Sequence, residues 1–529
     1  MKCSACGNNF EYFAGELEIY KKFDAKTPDK CPFCRRARHL IFRNEKNLFY
    51  NKSCLSGKKV ISLYPQSTPF KIVDQDEWWS DKFDATIYAR DFDFNKPFFE
   101  QYKELQREVP RWSRIFVNCE NSDFTNNCAQ IKNSYLTFSS YESEDLYYCM
   151  RVFRSNTMVD CLNVSDSQYC SQCSDCKRCY NVHFSLLSEH CSDSYYLFDC
   201  KNCKNCILSS RLRNKEYFIL NKQYSKEEYE KLREEFIAKL FKDKSQINAQ
   251  FKEIIKNTPH KNLNMLNAQN SLGNFINDSK NIFNGFYILD SEDCSNVYDS
   301  TYLKNCYDNS YNEKSELCLE IDTSYELYNS KFCTYTISLK GCAYCDQCDH
   351  LTDCFGCIGL KRKNYNILNK QYSKEEYLAM MERIKNHMKD TGEWGMPFPG
   401  TLTPFPYNTT LAYEYYPLSK EEALKQGFMW HDDEEKNPTS EKYANDVLTC
   451  ENTGKGYKII LQELAFYKKF KLPIPRISPE QRYKGLLRLQ PPKRLVDIKC
   501  ASCDQEIKTV YPKESGFKVI CEKCYGADI

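Results

Sequence analysis

The signatures of several common enzyme classes are missing from this sequence. Glycine accounts for only 17 of 529 residues, and no glycine-rich phosphate-binding loop, GxSxG nucleophile elbow or HExxH zinc-protease motif occurs. These absences argue against the commonest nucleotide-dependent enzymes, serine hydrolases and zinc proteases. We therefore predict a protein that is not an enzyme and has no small-molecule substrate.

Long apolar runs and an excess of one charge are also missing. No stretch approaches 18 uninterrupted apolar residues, and the start MKCSACGNNF does not follow the basic, apolar, small-residue plan of a secretory signal. We therefore expect a cytoplasmic protein with no membrane partner. With 74 Lys+Arg against 72 Asp+Glu, the net charge is only +2, so the whole chain is not a polycation.

Cysteine, in contrast, is abundant, with 31 residues. In a reducing compartment such residues serve as metal ligands or as small core residues rather than as disulfides. An extracellular adhesive protein is the alternative class, and it would carry disulfides.

Pairs of cysteines with metal-ligand spacing occur at both ends of the chain. Each end has two Cys-x2-Cys pairs, separated by 24 residues near the start and by 17 near the end, and four thiolates suit one tetrahedral zinc ion. Such a site has no vacant coordination position, so its zinc should stabilise the fold rather than activate water. We predict two zinc ions, with the ligands Cys3, Cys6, Cys31 and Cys34, and Cys500, Cys503, Cys521 and Cys524.

The two ends are copies of each other at an offset of 447 residues, since ELEIYKKF at 16–23 matches ELAFYKKF at 463–470. Each end is therefore predicted to be a tandem of two ribbon-like units, of which only one has kept its ligands. Cys450 survives in one degenerate unit and Cys54 in the other, and we expect both in a core. The residues predicted to replace the lost ligands are Thr453, Ser478 and Gln481, and Gly57, Asp74 and Glu77.

The first 45 residues resemble the short probable zinc-ribbon domains of bacteria, through the CSACGNNF start, the helical ELEIYKK segment and the CPFCRRAR ending. Residues 448–490 resemble the same domains without their ligands. The segments DEWWSDKFDATIYARDFDFNKPFFEQYKEL and YEYYPLSKEEALKQGF are similar to parts of uncharacterised multi-ribbon bacterial proteins. The resemblance implies zinc binding and no particular activity.

A period of three dominates the middle of the chain. From Cys119 to Cys206, and again from Cys294 to Cys357, every cysteine is a multiple of three residues from the next, and the other residues in phase are small or apolar. This period fits neither an α-helix nor a half-buried strand. It requires frequent corners that bring every third side chain to one axis, and Asn or Asp, which tolerate corner conformations, often precede the inward position.

A second period of twelve indicates how the corners are arranged. It relates Cys149, Cys161 and Cys173, and also Cys294, Cys306 and Cys318. We therefore predict two narrow β-solenoids with like residues stacked about 4.8 Å apart; in spacing alone they are similar to the 12-residue coils of beetle antifreeze proteins. The predicted structural core comprises Cys149, Cys161, Cys170, Cys173, Cys176, Cys179, Cys294, Cys306, Cys318, Cys342, Cys345 and Cys348.

The run of cysteines from Cys170 to Cys179 is also similar to the cluster-binding run of bacterial ferredoxins. On that alternative, the chain is a redox, iron–sulfur or metal-handling protein that uses the repeat cysteines. The x3 gap and the proline typical of ferredoxins are missing, which favours a structural core.

The predicted fold class is mainly β with helical caps: two Cys/Ser-rich β-solenoids of about 12 residues per coil, flanked by tandem zinc ribbons. Ser-Lys-Glu-Glu at 225–228, 373–376 and 419–422 predicts capping boxes that begin charged helices. The predicted boundaries are 1–75 (tandem ribbon), 76–118 (aromatic connector), 119–212 (solenoid), 213–262 (cap and helix), 263–360 (solenoid), 361–389 (cap and helix), 390–447 (Pro-rich linker with a short helix) and 448–529 (tandem ribbon).

Positive charge is concentrated at the two ends. Residues 1–60 contain 13 Lys/Arg and 6 Asp/Glu, and residues 450–529 contain 16 and 9. We predict a zinc-binding scaffold or interaction protein whose basic ends bind RNA or the ribosome, DNA, or a protein. The candidate phosphate contacts are Arg35, Arg36, Arg38 and Arg43, with a solvated charged face as the alternative interpretation.

Overall fold

The computed structural model describes residues 1–13, 15–320, 322–325, 328–334, 337–432 and 447–527, with the backbone alone at 322–325, 328, 329 and 337. Strands account for 34% and helices for 26%, so the fold is mixed rather than mainly β. The cysteine spacing underestimates the helix content because it does not indicate the helices in the predicted ribbons, the connector and the caps. Residues 433–446 of the predicted linker lie outside the described residues.

The chain divides into two compact units, and each contains one repeat region and one of the two segments predicted to be ribbon tandems. The N-terminal tandem shares its unit with the second repeat, which we define as residues 263–371. The C-terminal tandem shares its unit with the first repeat, residues 115–223. The two units comprise Met1–Arg114, Leu263–Asn437 and Lys493–Leu495, and Ile115–Asn262, Pro438–Pro492 and Val496–Ile529.

The ribbons, connector and linker consist of short elements. The helices, including 3-10 turns, are Glu16–Lys22, Pro32–Leu40, Gln75–Trp79, Ala85–Tyr88, Phe98–Glu108, Gly400–Leu402, Tyr407–Thr409, Leu411–Tyr415, Lys420–Lys425, Leu461–Lys469, Pro479–Leu489, Lys513–Ser515 and Glu522–Ala527. The strands are Phe49–Lys52, Lys59–Ser62, Ile72–Val73, Arg111–Trp112, Leu448–Thr449, Gly456–Tyr457, Val496–Lys499, Glu506–Thr509 and Val519–Ile520.

The repeats and their following segments contain the longer elements. The first repeat has strands Phe116–Val117, Thr125–Asn126, Cys128–Lys132, Thr137–Phe138, Tyr141–Tyr147, Met150–Phe153, Asn156–Val159, Leu162–Ser165, Ser174–Lys177, Tyr180–His183, Ser192–Phe198, Lys204–Ser210, Glu216–Ile219 and Lys222–Gln223, followed by helices Lys226–Lys242 and Lys244–Asn257 and strand His260–Lys261. The second has strands Met265–Gln269, Leu272–Leu289, Glu292–Leu319, Asp322–Tyr325, Tyr328–Lys331, Ile337–Lys340, Asp349–Thr352, Asn366–Ile367 and Lys370–Gln371, followed by helix Lys374–Asp390.

Most strands in both repeats pair in parallel with the chain twelve residues further on, and the first strand of the second repeat pairs at eleven, as in Met265 with Ile276. Met150 pairs with Leu162, and Leu162 pairs with Ser174. In the second repeat Ile282 pairs with Cys294. The period of twelve in the sequence is therefore the spacing between hydrogen-bonded neighbours.

The period of three appears in the backbone as a left-handed residue before each inward position. From Asn127 to Tyr217, every third residue has φ between +45° and +60°. Asn and Asp adopt this conformation readily, whereas a bulky residue there costs about 1–2 kcal/mol. Stacking offsets part of that cost: the rings of Phe184 and Tyr196, both left-handed residues, stack with centroids 4.7 Å apart and planes inclined by 21°.

The inward thiols and hydroxyls bind the backbone of these corners. Cys173 Sγ donates to Ser171 O at 3.4 Å, and Ser185 Oγ donates to His183 O at 3.0 Å. Ser185 Oγ also accepts from Leu197 N, twelve residues further on, at 3.0 Å. Small side chains with one polar atom can thus satisfy buried backbone groups, which explains the preference for Cys, Ser and Thr. All twelve predicted core cysteines are at most 2% exposed.

Each repeat is followed by an antiparallel hairpin and a capped helix. Phe218 pairs antiparallel with Gln223, and Asn366 pairs with Gln371. The predicted capping boxes are confirmed at Ser225, Ser373 and Ser419. The change from parallel to antiparallel pairing ends the twelve-residue register.

Candidate metal centres

The N-terminal four-cysteine group lies between a knuckle turn and a helix. Cys3 and Cys6 belong to the turn, in which Gly7 N donates to Cys3 O at 3.0 Å. Cys31 directly precedes helix Pro32–Leu40, which contains Cys34. The four sulfurs all lie within 4.8 Å of one another and could hold a metal ion.

The C-terminal group repeats this arrangement. Cys500 and Cys503 belong to a turn in which Asp504 N donates to Cys500 O at 3.0 Å. Cys521 directly precedes helix Glu522–Ala527, which contains Cys524. These four sulfurs also lie within 4.8 Å of one another. All eight predicted ligands are therefore brought together in two separate groups.

The dimensions of both groups fit a tetrahedral metal–thiolate site. Metal–sulfur bonds of about 2.3 Å imply sulfur–sulfur distances of about 3.8 Å. The distance is 3.7 Å between Cys6 Sγ and Cys31 Sγ, and 3.9 Å between Cys503 Sγ and Cys521 Sγ. The residues present thus match the expected donor set and spacing.

Backbone amides favour the thiolate form at the first ligand of each group. Burial raises the pKa of Cys3, but hydrogen bonds from backbone N–H groups, including that of Cys31 at 3.3 Å, bring it down to about 6. The same balance brings the pKa of Cys500 to about 6, with Cys521 N at 3.2 Å from its sulfur. Because the thiolate is the ligand form, these hydrogen bonds favour metal binding at Cys3 and Cys500, whereas burial raises the pKa of Cys31 and Cys34.

The turn at Cys450, which we call a degenerate knuckle because three of its four ligand positions have lost their cysteine, keeps the backbone arrangement found at Cys3. Ser478 N donates to Cys450 Sγ at 3.3 Å, the distance also found between Cys31 N and Cys3 Sγ. Cys450 is fully buried, as predicted. Thr453 and Gln481 occupy the remaining ligand positions, so among the described residues only one thiolate is present here.

At the other degenerate knuckle, the predicted alignment at Cys54 is wrong by one residue. Gly57 N donates to Ser53 O at 2.8 Å, which matches Asp504 N and Cys500 O, so Ser53 occupies the first ligand position. The offset of 447 then holds throughout and places Ser56, not Gly57, opposite Cys503. Cys54 is exposed rather than in a core. Ser53 Oγ donates to Glu77, and Asp74 N donates to Ser53 Oγ at 3.3 Å, so hydrogen bonds link these positions.

A buried ion cluster fastens each tandem to its repeat. In one unit Arg35 lies 2.7 Å from Glu16 and 2.5 Å from Asp308, and Tyr20 donates to Asp308. In the other unit Arg482 lies 2.7 Å from both Glu463 and Asp160, and Tyr467 donates to Glu463 at 2.9 Å. Corresponding ribbon residues of the two clusters are 447 positions apart in the sequence, and the aspartates of the two repeats are 148 positions apart. The same contact is therefore present in both copies.

Sequence reasoning missed these clusters, although a signal existed. Asp160 and Asp308 stand at the same place in the two duplicated repeats, each directly before an inward residue. The ribbon residues are retained even where the ligands are lost. Charged residues kept at matching offsets in two duplications indicate a shared contact.

Three of the four arginines predicted to contact phosphate are buried against other groups of the protein, which does not fit a phosphate contact. Arg35 and Arg43 are each 1% exposed and Arg36 is 4% exposed. Arg36 lies over the ring of Tyr298 at 4.8 Å, and Arg43 over that of Tyr311 at 3.9 Å.

Arg38 is partly exposed but bonds Glu320 at 2.5 Å. The sequence shows the charge of these side chains but not the carboxylates and tyrosines of the distant repeat that they face.

Among the described residues, the repeat cysteines form no metal group. The two terminal groups are those in which three or more ligating side chains lie within 4.8 Å. The sulfurs of Cys170 and Cys179 instead donate to backbone carbonyls, at 3.3 Å to Gln168 O and 3.5 Å to Lys177 O. This arrangement favours the structural interpretation over an iron–sulfur cluster.

The buried carboxylates predict a pH dependence that can be measured in the metal-free copy. Burial raises the pKa of Glu463 to about 6, with Asp160 acting in the same direction and Arg482 against it. The folded form therefore binds its proton more tightly than the unfolded form, so this contribution to stability is present below pH 4.5 and is lost as the pH rises through 6. Urea unfolding should show the stability of the unmodified chain relative to Glu463→Gln falling by about 1–2 kcal/mol between pH 4.5 and 6.5. A constant difference would contradict this.

No protein-family model matches the chain, and no curated protein matches it. Within the part of the chain that the structure describes, no helix has the length and apolar character needed to cross a bilayer.

Proposed function

We propose that this protein is a non-enzymatic scaffold in which two structural zinc ions stabilise two ribbon tandems, each mounted on a β-solenoid. The observation that carries the proposal is the pair of four-cysteine groups with tetrahedral spacing. A site with four thiolates keeps no position for water or substrate, so its ion supplies folding energy rather than chemistry. We keep the predicted domain boundaries as part of this proposal.

Zinc is the metal that this donor set favours. A tetrahedral set of four thiolates is typical of zinc or of iron–sulfur centres. All 31 cysteines are free thiols in the structure, which suits a reducing, cytoplasmic setting. Reconstitution with cobalt should give the strong visible absorption of tetrahedral cobalt–thiolate centres, and zinc should displace it at two equivalents per chain.

The twelve-residue parallel register supports the solenoid part of the proposal. Hydrogen-bonded neighbours twelve residues apart, with left-handed corners every three, describe stacked short coils. In the outward ladders, charges of opposite sign pair between neighbours, as in Lys204–Glu216 and Lys280–Glu292. These pairs neutralise part of the outward charge of the repeats, which suits a spacer.

We further propose that the scaffold binds nucleic acid through its basic ends, with the ribosome as one setting for RNA and a protein as the alternative partner. The charge of both ends supports this, because Lys and Arg that neutralise phosphates release counterions. Fluorescence anisotropy with structured RNA and duplex DNA should show affinity that falls as salt rises. Affinity that is absent at low salt for both would remove the nucleic-acid partner and leave the zinc scaffold standing.

A further inference from the structure

The two copies of the first ribbon unit differ sharply in exposed charge. Residues 1–43 contain four exposed cations and four exposed carboxylates. Residues 448–490 contain seven exposed cations and only two exposed carboxylates. The copy without metal ligands is therefore the strongly basic one, although total charge at the two ends of the chain is equal.

This difference comes from substitutions at matching positions. At the offset of 447, Asn8, Glu11, Asp24 and Asp29 in the N-terminal copy correspond to Lys455, Lys458, Lys471 and Arg476 in the C-terminal copy. All eight side chains belong to exposed residues. Three acidic residues have thus been replaced by basic ones on the same backbone.

Three of these cations surround the degenerate knuckle. Lys455 O accepts from Cys450 N at 2.9 Å, and Arg476 O accepts from Glu451 N at 3.0 Å, so both residues flank the turn. The Arg476 guanidinium also forms an exposed pair with Glu451 at 3.4 Å. Lys458 directly follows strand Gly456–Tyr457, which pairs with the strand leading into Cys450. The turn itself is exposed at Asn452, Thr453 and Gly454.

We propose that this basic knuckle, defined as Lys455, Lys458 and Arg476 around the Cys450 turn, is the surface that binds the phosphate backbone of nucleic acid. The inference rests on the proposed nucleic-acid partner and moves the contact away from the buried arginines of the N-terminal ribbon. Two lysines and one arginine around an exposed turn suit phosphate groups, and contacts to phosphate carry no base readout. The expected binding is therefore strongly dependent on salt and weakly dependent on sequence.

The N-terminal copy supplies the variants that test this surface. Lys455→Asn, Lys458→Glu and Arg476→Asp together install the residues that the N-terminal copy already carries on the same backbone. This variant should bind single-stranded RNA ~100-fold or more weakly than the unmodified chain in 0.1 M salt, with the slope of log affinity against log salt reduced by about 2 to 3. Its zinc content and thermal unfolding should match those of the unmodified chain.

The reciprocal variant Asn8→Lys, Glu11→Lys and Asp29→Arg builds the same surface on the N-terminal copy. Introduced into the loss variant, it should restore RNA affinity. Duplex DNA serves as a second arm that distinguishes a preference for RNA from a response to any phosphate backbone. Polyglutamate is the competitor that separates nucleic acid from an acidic protein.

Three results would overturn the proposal. If the unmodified chain binds no nucleic acid, the proposed partner itself is wrong. If the loss variant binds as tightly as the unmodified chain, the partner stands and the contact lies elsewhere. If polyglutamate displaces RNA at equal charge concentration, the surface takes an acidic protein instead.

Discussion

Replacing Cys31 with serine is expected to lower the zinc content from two ions per chain to one and to unfold the N-terminal ribbon. Cys31 Sγ lies 3.7 Å from Cys6 Sγ in the first four-cysteine group, and structural zinc contributes an apparent binding free energy of about 10–16 kcal/mol in small zinc domains. A three-thiolate site loses most of that stabilisation. Elemental analysis gives the zinc content, and hydrogen exchange measures amide protection over residues 1–43.

The degenerate knuckle offers a matched control for this variant. Cys450 occupies the position of Cys3 in a unit that has lost the other three ligands. Cys450→Ser should therefore keep two zinc ions per chain and leave exchange in residues 1–43 unchanged. A loss of zinc from Cys450→Ser, or two zinc ions in Cys31→Ser, would contradict the assignment of the ligands.

Replacing Arg482 with methionine is expected to destabilise its unit by about 3–5 kcal/mol, because Asp160 and Glu463 then remain buried without their cation. All three side chains are at most 1% exposed, so solvent screens the lost interaction very little. Chemical denaturation with two probes, one for each unit, would measure the effect. Asp160 also has its pKa raised by burial, in the direction that favours partial neutralisation in the variant.

Two further variants make this result specific. Arg476→Met removes an exposed pair with Glu451 at 3.4 Å and should change stability by less than about 1 kcal/mol. Adding Asp160→Asn and Glu463→Gln to Arg482→Met removes the stranded charges and should restore part of the loss. A triple variant that is less stable than Arg482→Met would show that packing, not buried charge, dominates the cluster.

The local features of the fold could be predicted from the sequence because each depends on neighbouring residues. The knuckle spacing brought Cys3, Cys6, Cys31 and Cys34 together as predicted, and Ser225 and Ser373 form their capping boxes. The left-handed corners were also foreseeable, since Asn and Asp before the inward residue prefer them. The alignment at Cys54 failed because a surviving cysteine was a stronger signal than the constant offset that selects Ser53.

The long-range contacts could not be predicted from the pattern. Nothing local in the sequence pairs the first ribbon with its contacts in the second repeat, more than 260 residues away, and Arg35 therefore looked available for phosphate. A buried arginine can be recognised only after the carboxylates that pair with it have been located. The duplication gave an indirect signal through Asp160 and Asp308, which becomes informative once both offsets are compared.

Thiol counting combined with metal analysis tests most directly whether the repeat cysteines are structural. Two zinc ions and no iron or labile sulfide are expected per chain. Exposed Cys54 and partly exposed Cys119 should react in the native protein, the eight ligands should react after chelation, and the 21 remaining buried cysteines only in denaturant. Iron in the purified protein, or rapid native-state reaction of the 21 buried thiols, would contradict the account.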